Sequence, residues 1–248
     1  MTKGCIVAVA SGKGGVGKTW LAITLAHALA RRGRRVLLFD ADLGLANVDI
    51  QLGLTPKQDL GSVVAGRATL ADAVLHHREG NFDILAGASG SGTLATLDAA
   101  TLERLLTALR QEASRHDVVL LDLGAGLEQS VRRMAAWADT LLVIATDEPT
   151  SLTDAYAVLK LHAADRTDGD ARIVVNLAAT RAAGERTFAT LLRACTTFLG
   201  RTPRLAGVIR RDERVRDAIR RQTLLLARHP ASPAAADVEA AAASLLAA

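Results

Sequence analysis

Near its start the chain reads Gly12-Lys13-Gly14-Gly15-Val16-Gly17-Lys18-Thr19. This fits the form G-x-x-x-x-G-K-[ST], whose glycine-rich backbone lays its N–H groups against nucleotide phosphates. In that form Lys18 reaches the β/γ-phosphates and the Thr19 hydroxyl meets a magnesium ion. A second lysine, Lys13, stands inside the loop at a position the plain form leaves open.

Such a loop needs a strand before it and a helix after it. Residues 6–10 form a short apolar run, and Leu21, Leu25, Ala28 and Leu29 follow at helical spacing. A helix starting there adds its own partial positive charge to the phosphate site. Two more apolar runs end in acid, at Asp40-Ala41-Asp42 and at Asp122. Magnesium keeps several waters and takes few direct protein ligands. Asp122 is therefore expected to hold it through water beside Thr19, with Asp40 and Asp42 toward the γ-phosphate. The plainer reading is that aspartates after strands cap helices.

Strand-like runs at 6–10, 36–40, 82–86, 118–122, 141–145, 173–177 and 205–209 alternate with helical patterns. The helices are expected near 19–31, 98–115, 128–137, 150–163 and 185–199. This alternation predicts an α/β fold, a mostly parallel twisted sheet with helices on both faces. Ligands of such sheets sit beyond the carboxyl ends of the strands, where these acids fall. No proline- or serine-rich linker interrupts the pattern, so one domain over 1–248 is expected. The tail from Ser232-Pro233 reads as a capped helix packed on that domain.

The composition is that of a soluble globular protein, 50% hydrophobic and 23% charged. Cys5 and Cys195 are far apart, which argues against a paired-cysteine metal site and fits a reduced cytoplasmic setting. The opening residues lack a signal-peptide pattern, and no apolar run is long enough to span a membrane. Net charge is +4, with arginines dense over 201–221. Asp212, Glu213 and Asp217 interrupt that run, which reads as a solvated helix face. Aromatics are 3%, too few for stacking on single-stranded nucleic acid, and no sequence-specific nucleic-acid binding is expected. The pair His76-His77 has no ligand at metal spacing and reads as a solvated helix end.

The run from Ser11 to Thr19, with Asp40-Ala41-Asp42 and Asp122, resembles the MinD/ParA family of deviant Walker P-loop ATPases over nearly the whole chain. Two stretches, 40–49 and 148–156, are similar to the flagellar number regulators of FlhG/FleN type within that family. The resemblance implies an ATP-dependent homodimer with slow ATP hydrolysis, using ATP and Mg2+. Lys13 would reach the partner's phosphates, Asp42 would guide the attacking water, and Asp40 would stand in the magnesium shell. Glu148 would lie near the partner's nucleotide and Asn176 against adenine.

Some positions depart from the family pattern. Trp20 stands where a small polar residue usually meets the α-phosphate, leaving its backbone N–H for that task. Arg210 replaces a proline beside the adenine. Asp147 and Leu123 replace a proline and a small residue. The implied partner is a flagellar transcription regulator or a flagellar assembly GTPase. Membrane association is expected to be weak or indirect, because the tail has no basic face. The competing readings are DNA partition, cell-division placement, and a nucleotide-poor module that antagonises a transcription regulator.

Overall fold

The computed structural model of the protein describes residues 4–87 and 97–247. Residues 1–3, part of the opening stretch read above, lie outside it.

Side-chain alternation along β1 (Cys5–Ala10) decides the layering. Ile6, Ala8 and Ala10 face one core, and Val7 and Val9 face the other. A strand covered on both sides must be apolar on both. The same holds for β2 (Val36–Ala41), β5 (Val118–Leu123) and β6 (Thr140–Ala145), which are buried along their whole length. With β3 (Val74–His77), β4 (Phe82–Leu85), β7 (Asp170–Ala178) and β8 (Arg204–Arg210) they form one eight-stranded sheet. Its order is β3-β4-β2-β5-β1-β6-β7-β8. Every neighbouring pair is parallel except β3 with β4.

One face carries α5 (Ala99–Ala113), α6 (Gln129–Trp137), α7 (Pro149–Asp165) and α8 (Arg181–Leu199), with the short α3 (Leu60–Val64) and α4 (Leu70–Ala73). The other carries α1 (Lys18–Arg31), α2 (Val48–Leu52), α9 (Glu213–Arg220), α10 (Leu225–Arg228) and α11 (Pro233–Leu246). The central strand β1 sits between β5 and β6; from it the chain crosses to β2 on one side, and from β5 it later crosses to β6 on the other. That is the switch point at which open α/β sheets leave a crevice for ligands.

Some helix starts carry a side-chain cap and others do not. Asp98, Thr180, Asp212 and Ser232 each accept a backbone N–H at the start of α5, α8, α9 and α11. By contrast α1 starts at Gly17 with no side-chain cap and no acidic residue in its first turn. Its N–H groups and dipole are left for an external anion.

All seven expected strands are present, and β3 is an addition. Its Val-Leu-His-His sequence is short and only partly buried, so it carries no strong strand period. His76 and His77 lie in this strand, which corrects the helix-end reading. His76 Nδ1 is 2.7 Å from Asp83 Oδ1 on β4, and His77 stacks on Phe82. The arginine-rich stretch carries the solvated helix face expected of it, with Arg214, Arg216, Arg220 and Arg221 all exposed. Arg221 and Arg228 both pair with Asp217, and His229 joins them.

The tail helix α11 packs on β8 and α1 through Ala234, Ala235, Val238, Ala241 and Ala242. Small residues allow a close approach: a Cβ on Gly207 of β8 would come within 2.9 Å of Ala241 Cβ. Gly207→Leu is therefore expected to cost about 1–3 kcal/mol by overpacking. Exposed Ala240→Leu is expected to stay within about 0.5 kcal/mol. Thermal unfolding of both variants checks this; equal melting temperatures would contradict the packing.

Candidate nucleotide site

The phosphate loop is braced from three sides. From the α7 side, Lys13 Nζ is 2.5 Å from Glu148 Oε2 and 3.1 Å from Thr150 Oγ1. A Cβ on Gly12 would lie 2.5 Å from the Asp154 carbonyl oxygen, so glycine is needed there for helix packing. From β7, the buried Asn176 donates from Nδ2 to the Val16 carbonyl at 2.8 Å. A Cβ on Gly17 would strike that same nitrogen at 2.5 Å, and Gly17 has φ 85°. From the loop after β5, the Gly126 N–H donates to Ser11 O at 3.0 Å. Gly14 and Gly15 have open space before them, as a surface for phosphates requires.

Lys18 is buried beneath the loop, with Nζ 3.5 Å from Asp122 Oδ1. The other oxygen, Asp122 Oδ2, is buried without a hydrogen bond. Burial pushes this carboxyl above its usual range, while Lys18 and the neighbouring Thr19 hydroxyl pull it back. A buried, half-satisfied carboxylate beside a lysine and a threonine is a donor set that suits a hydrated magnesium ion.

Asp40, expected in a magnesium shell, also holds a loop in place. It is fully buried, in register with Asp122 on the neighbouring strand. Its Oδ2 accepts the N–H of Asn47 at 2.8 Å and Val48 at 2.9 Å, and Oδ1 that of Asp42 at 3.3 Å. Burial pushes its carboxyl up to about 7 against those N–H groups, with Asp122 adding to the push. In this arrangement Asp40 shapes the 42–48 loop and caps α2. Asp42 sits on that loop, where its Oδ1 holds the N–H of Leu45 at 3.0 Å and of Gly44 at 3.3 Å.

Residues far apart in sequence share one cleft of about 400 Å³ beside the loop. Gly15, Gly17, Trp20, Glu148, Asn176 and Arg210 all line it. Trp20 is 7% exposed, which places a large aromatic surface against the cleft. The Arg210 guanidinium is committed elsewhere. It pairs with Asp237 of α11 through Nε at 2.8 Å and Nη2 at 2.9 Å. Asp147, the departure before Glu148, is exposed; Leu123 is buried among core residues.

Sequence reasoning missed three contributors. Thr150 and Asp237 carry no pattern that marks them as partners. Leu177 has φ 58°, a conformation that costs a non-glycine residue about 1–3 kcal/mol. It lies where the register of β7 and β8 shifts between Val175 and Ala178, and it lines the cleft next to Asn176.

The CobQ/CobB/MinD/ParA nucleotide binding domain family matches residues 7–225. The chain belongs to this family. Among relatives, it is 41% identical to the antiactivator FleN of Pseudomonas aeruginosa, over 92% of this chain and 81% of that one. It is 30% identical to the flagellum site-determining protein YlxH of Helicobacter pylori, over 75% of this chain and 63% of that one. Among solved structures, the cell division ATPase MinD of Pyrococcus furiosus superimposes with a TM-score of 0.82 at 26% identity, covering 98% of each chain. MinD of Pyrococcus horikoshii, solved with Mg-ADP, gives 0.81 at 25% identity, covering 97% and 95%. The MinD/ParA resemblance and the parallel α/β fold are thus both established for this chain.

Removing the carboxylate in Asp40→Ala should leave three loop N–H groups without an acceptor, at about 1–3 kcal/mol for a buried group. Hydrogen exchange at the Asn47 and Val48 amides is expected to quicken while β1 amides lose less protection. Unchanged exchange at both amides would reject this role.

Proposed function

We propose that the protein is an ATP-dependent dimerisation switch, an ATPase with slow turnover, that sets flagellar number or placement. The observation that carries this reading is the intact two-lysine phosphate loop in a chain 41% identical to an antiactivator named FleN. The whole sequence, 1–248, acts as one ATPase domain.

Backbone N–H groups of the 12–19 loop and the bare start of α1 take the phosphates. Lys18 supplies a fixed positive charge among them. Thr19 and Asp122 would hold magnesium, which offsets phosphate charge when bound. Asp42 orients the attacking water. Asn176 and Trp20 line the base-side cleft. Arg210 contributes its backbone and stem there, because its guanidinium faces Asp237.

Lys13 is free to exchange partners. Its pair with Glu148 is exposed on both sides, with 39% and 61% of the side chains open to solvent. Exposed pairs hold weakly. A second copy, face to face, would offer Lys13 a phosphate in place of that carboxylate, as an arginine finger does. An apolar side chain lies close to Asp42: Leu45, whose N–H Asp42 holds, is 74% exposed. Burying it against a second copy would favour the dimer. The partner that reads the dimer is a flagellar transcription regulator or assembly GTPase. Among the described residues no helix is long and apolar enough to cross a membrane. The reading includes weak or indirect membrane contact and a cytoplasmic location, as the unbasic tail suggests.

Three variants divide the roles. Lys18→Ala should lose tight ATP binding by calorimetry; parent-like affinity would reject the nucleotide assignment. Asp42→Ala should bind ATP and dimerise without hydrolysing it, and Lys13→Ala should bind ATP as a monomer. Size exclusion with ATP and magnesium reads both, and a dimeric Lys13→Ala would overturn the trans role.

In the cell, gene loss is expected to change flagellar number or position, most directly toward extra flagella. Electron microscopy of a deletion strain checks this. Normal flagella with misplaced septa or lost plasmids would favour cell-division placement or DNA partition instead.

A further inference from the structure

A second cavity, of about 240 Å³, opens at the other end of the sheet. Asp170 and Arg204, the first residues of β7 and β8, line it, whereas the nucleotide cleft lies at the last residues of those strands. The ends of α7 and α8 complete its walls. Nothing in the nucleotide chemistry uses this cavity.

Its inner wall holds His162, which is 6% exposed. Both ring nitrogens are buried and neither has a hydrogen-bond partner. Glycine at position 169 admits the ring, since a Cβ there would lie 2.5 Å from Nε2. A buried polar ring with two unmet nitrogens is costly unless something occupies the space before it. Burial, with Arg166 nearby, pushes its pKa down, so the ring rests neutral with one N–H to donate.

The surrounding charge is mainly positive. Arg166, Arg201 and Arg204 line the cavity. Arg166 is fixed by the Ala136 and Ala138 carbonyls. Arg204 shares Asp170 with Arg172. Arg201 has no ion-pair or hydrogen-bond partner for its guanidinium among the described residues. On the far side of the ring, Asp165 is neutralised by Arg132 of α6. Leu159, Cys195 and Leu199 supply an apolar wall.

We propose that this cavity is a binding site for a small organic anion, a carboxylate or phosphate carried on an apolar body. Arg201 pairs with the anionic group, His162 donates to it, and the apolar wall takes the body. An unpaired guanidinium and an unmet imidazole converging beside apolar surface are the usual ingredients of such a pocket. The site is remote from the phosphate loop and would give the protein an input separate from ATP.

The test uses the full chain, with hexanoate and phenyl phosphate as probes and hexanamide as the uncharged control. Ring-nitrogen NMR signals of His162 report the pocket directly and distinguish it from phosphate binding at the loop. Saturable shifts of those signals with at least one anion, and none with hexanamide, are expected. The responding anion identifies the head group. Arg201→Ala, at a partly exposed position, is expected to weaken the response at least tenfold with unchanged ATP affinity. His162 signals that stay still with both anions, or an Arg201→Ala response equal to the parent's, would overturn the proposal.

Discussion

The site depends on one buried, imperfect charge pair. Lys18 and Asp122 are both nearly inaccessible, yet they meet at only 3.5 Å, and one Asp122 oxygen has no hydrogen bond. Taking two charges out of water costs several kcal/mol per ion, and a loose pair does not fully repay it. In the function proposed here, phosphate and a cation offset those buried charges. Everything around it serves to keep those charges in place while leaving them unsatisfied.

That constraint explains the neighbouring choices. An acidic residue or a side-chain cap at the start of α1 would satisfy the charges that a nucleotide must meet, and both are missing. The loop cannot drift to meet the Asp122 carboxylate, because Asn176 and the loop after β5 hold it and Asp154 of α7 packs against Gly12. Asp40 lies against Asp122 but spends its oxygens on the 42–48 loop. One buried acid thus positions the chain carrying Asp42, while the other stays open for chemistry. A protonated Asp40 would ease the repulsion between the two, which is the direction its burial favours.

Much of the fold was legible because buried parallel strands must be apolar on both faces. Runs such as 36–40 and 118–122 leave little else to infer. The phosphate loop was legible because backbone geometry fixes its glycines at set spacing. β3 was hidden because a half-covered edge strand keeps no strong period, and its two histidines read as a solvated helix end. Arg210 shows a different limit. Its place suggested a contact beside the adenine, but the direction of its guanidinium depends on Asp237, which folds back 27 residues later. Long-range pairing of that kind leaves no local mark. The same holds for Gly12, which is glycine because Asp154 of α7 presses on it.

The central claim is that nucleotide completes this site and that a second copy, through Lys13, completes the phosphates. Sedimentation velocity of the unmodified protein with magnesium tests it most directly, comparing a non-hydrolysable ATP analogue with ADP. The account predicts a dimer with the analogue and a monomer with ADP. The same mass with both nucleotides would contradict it.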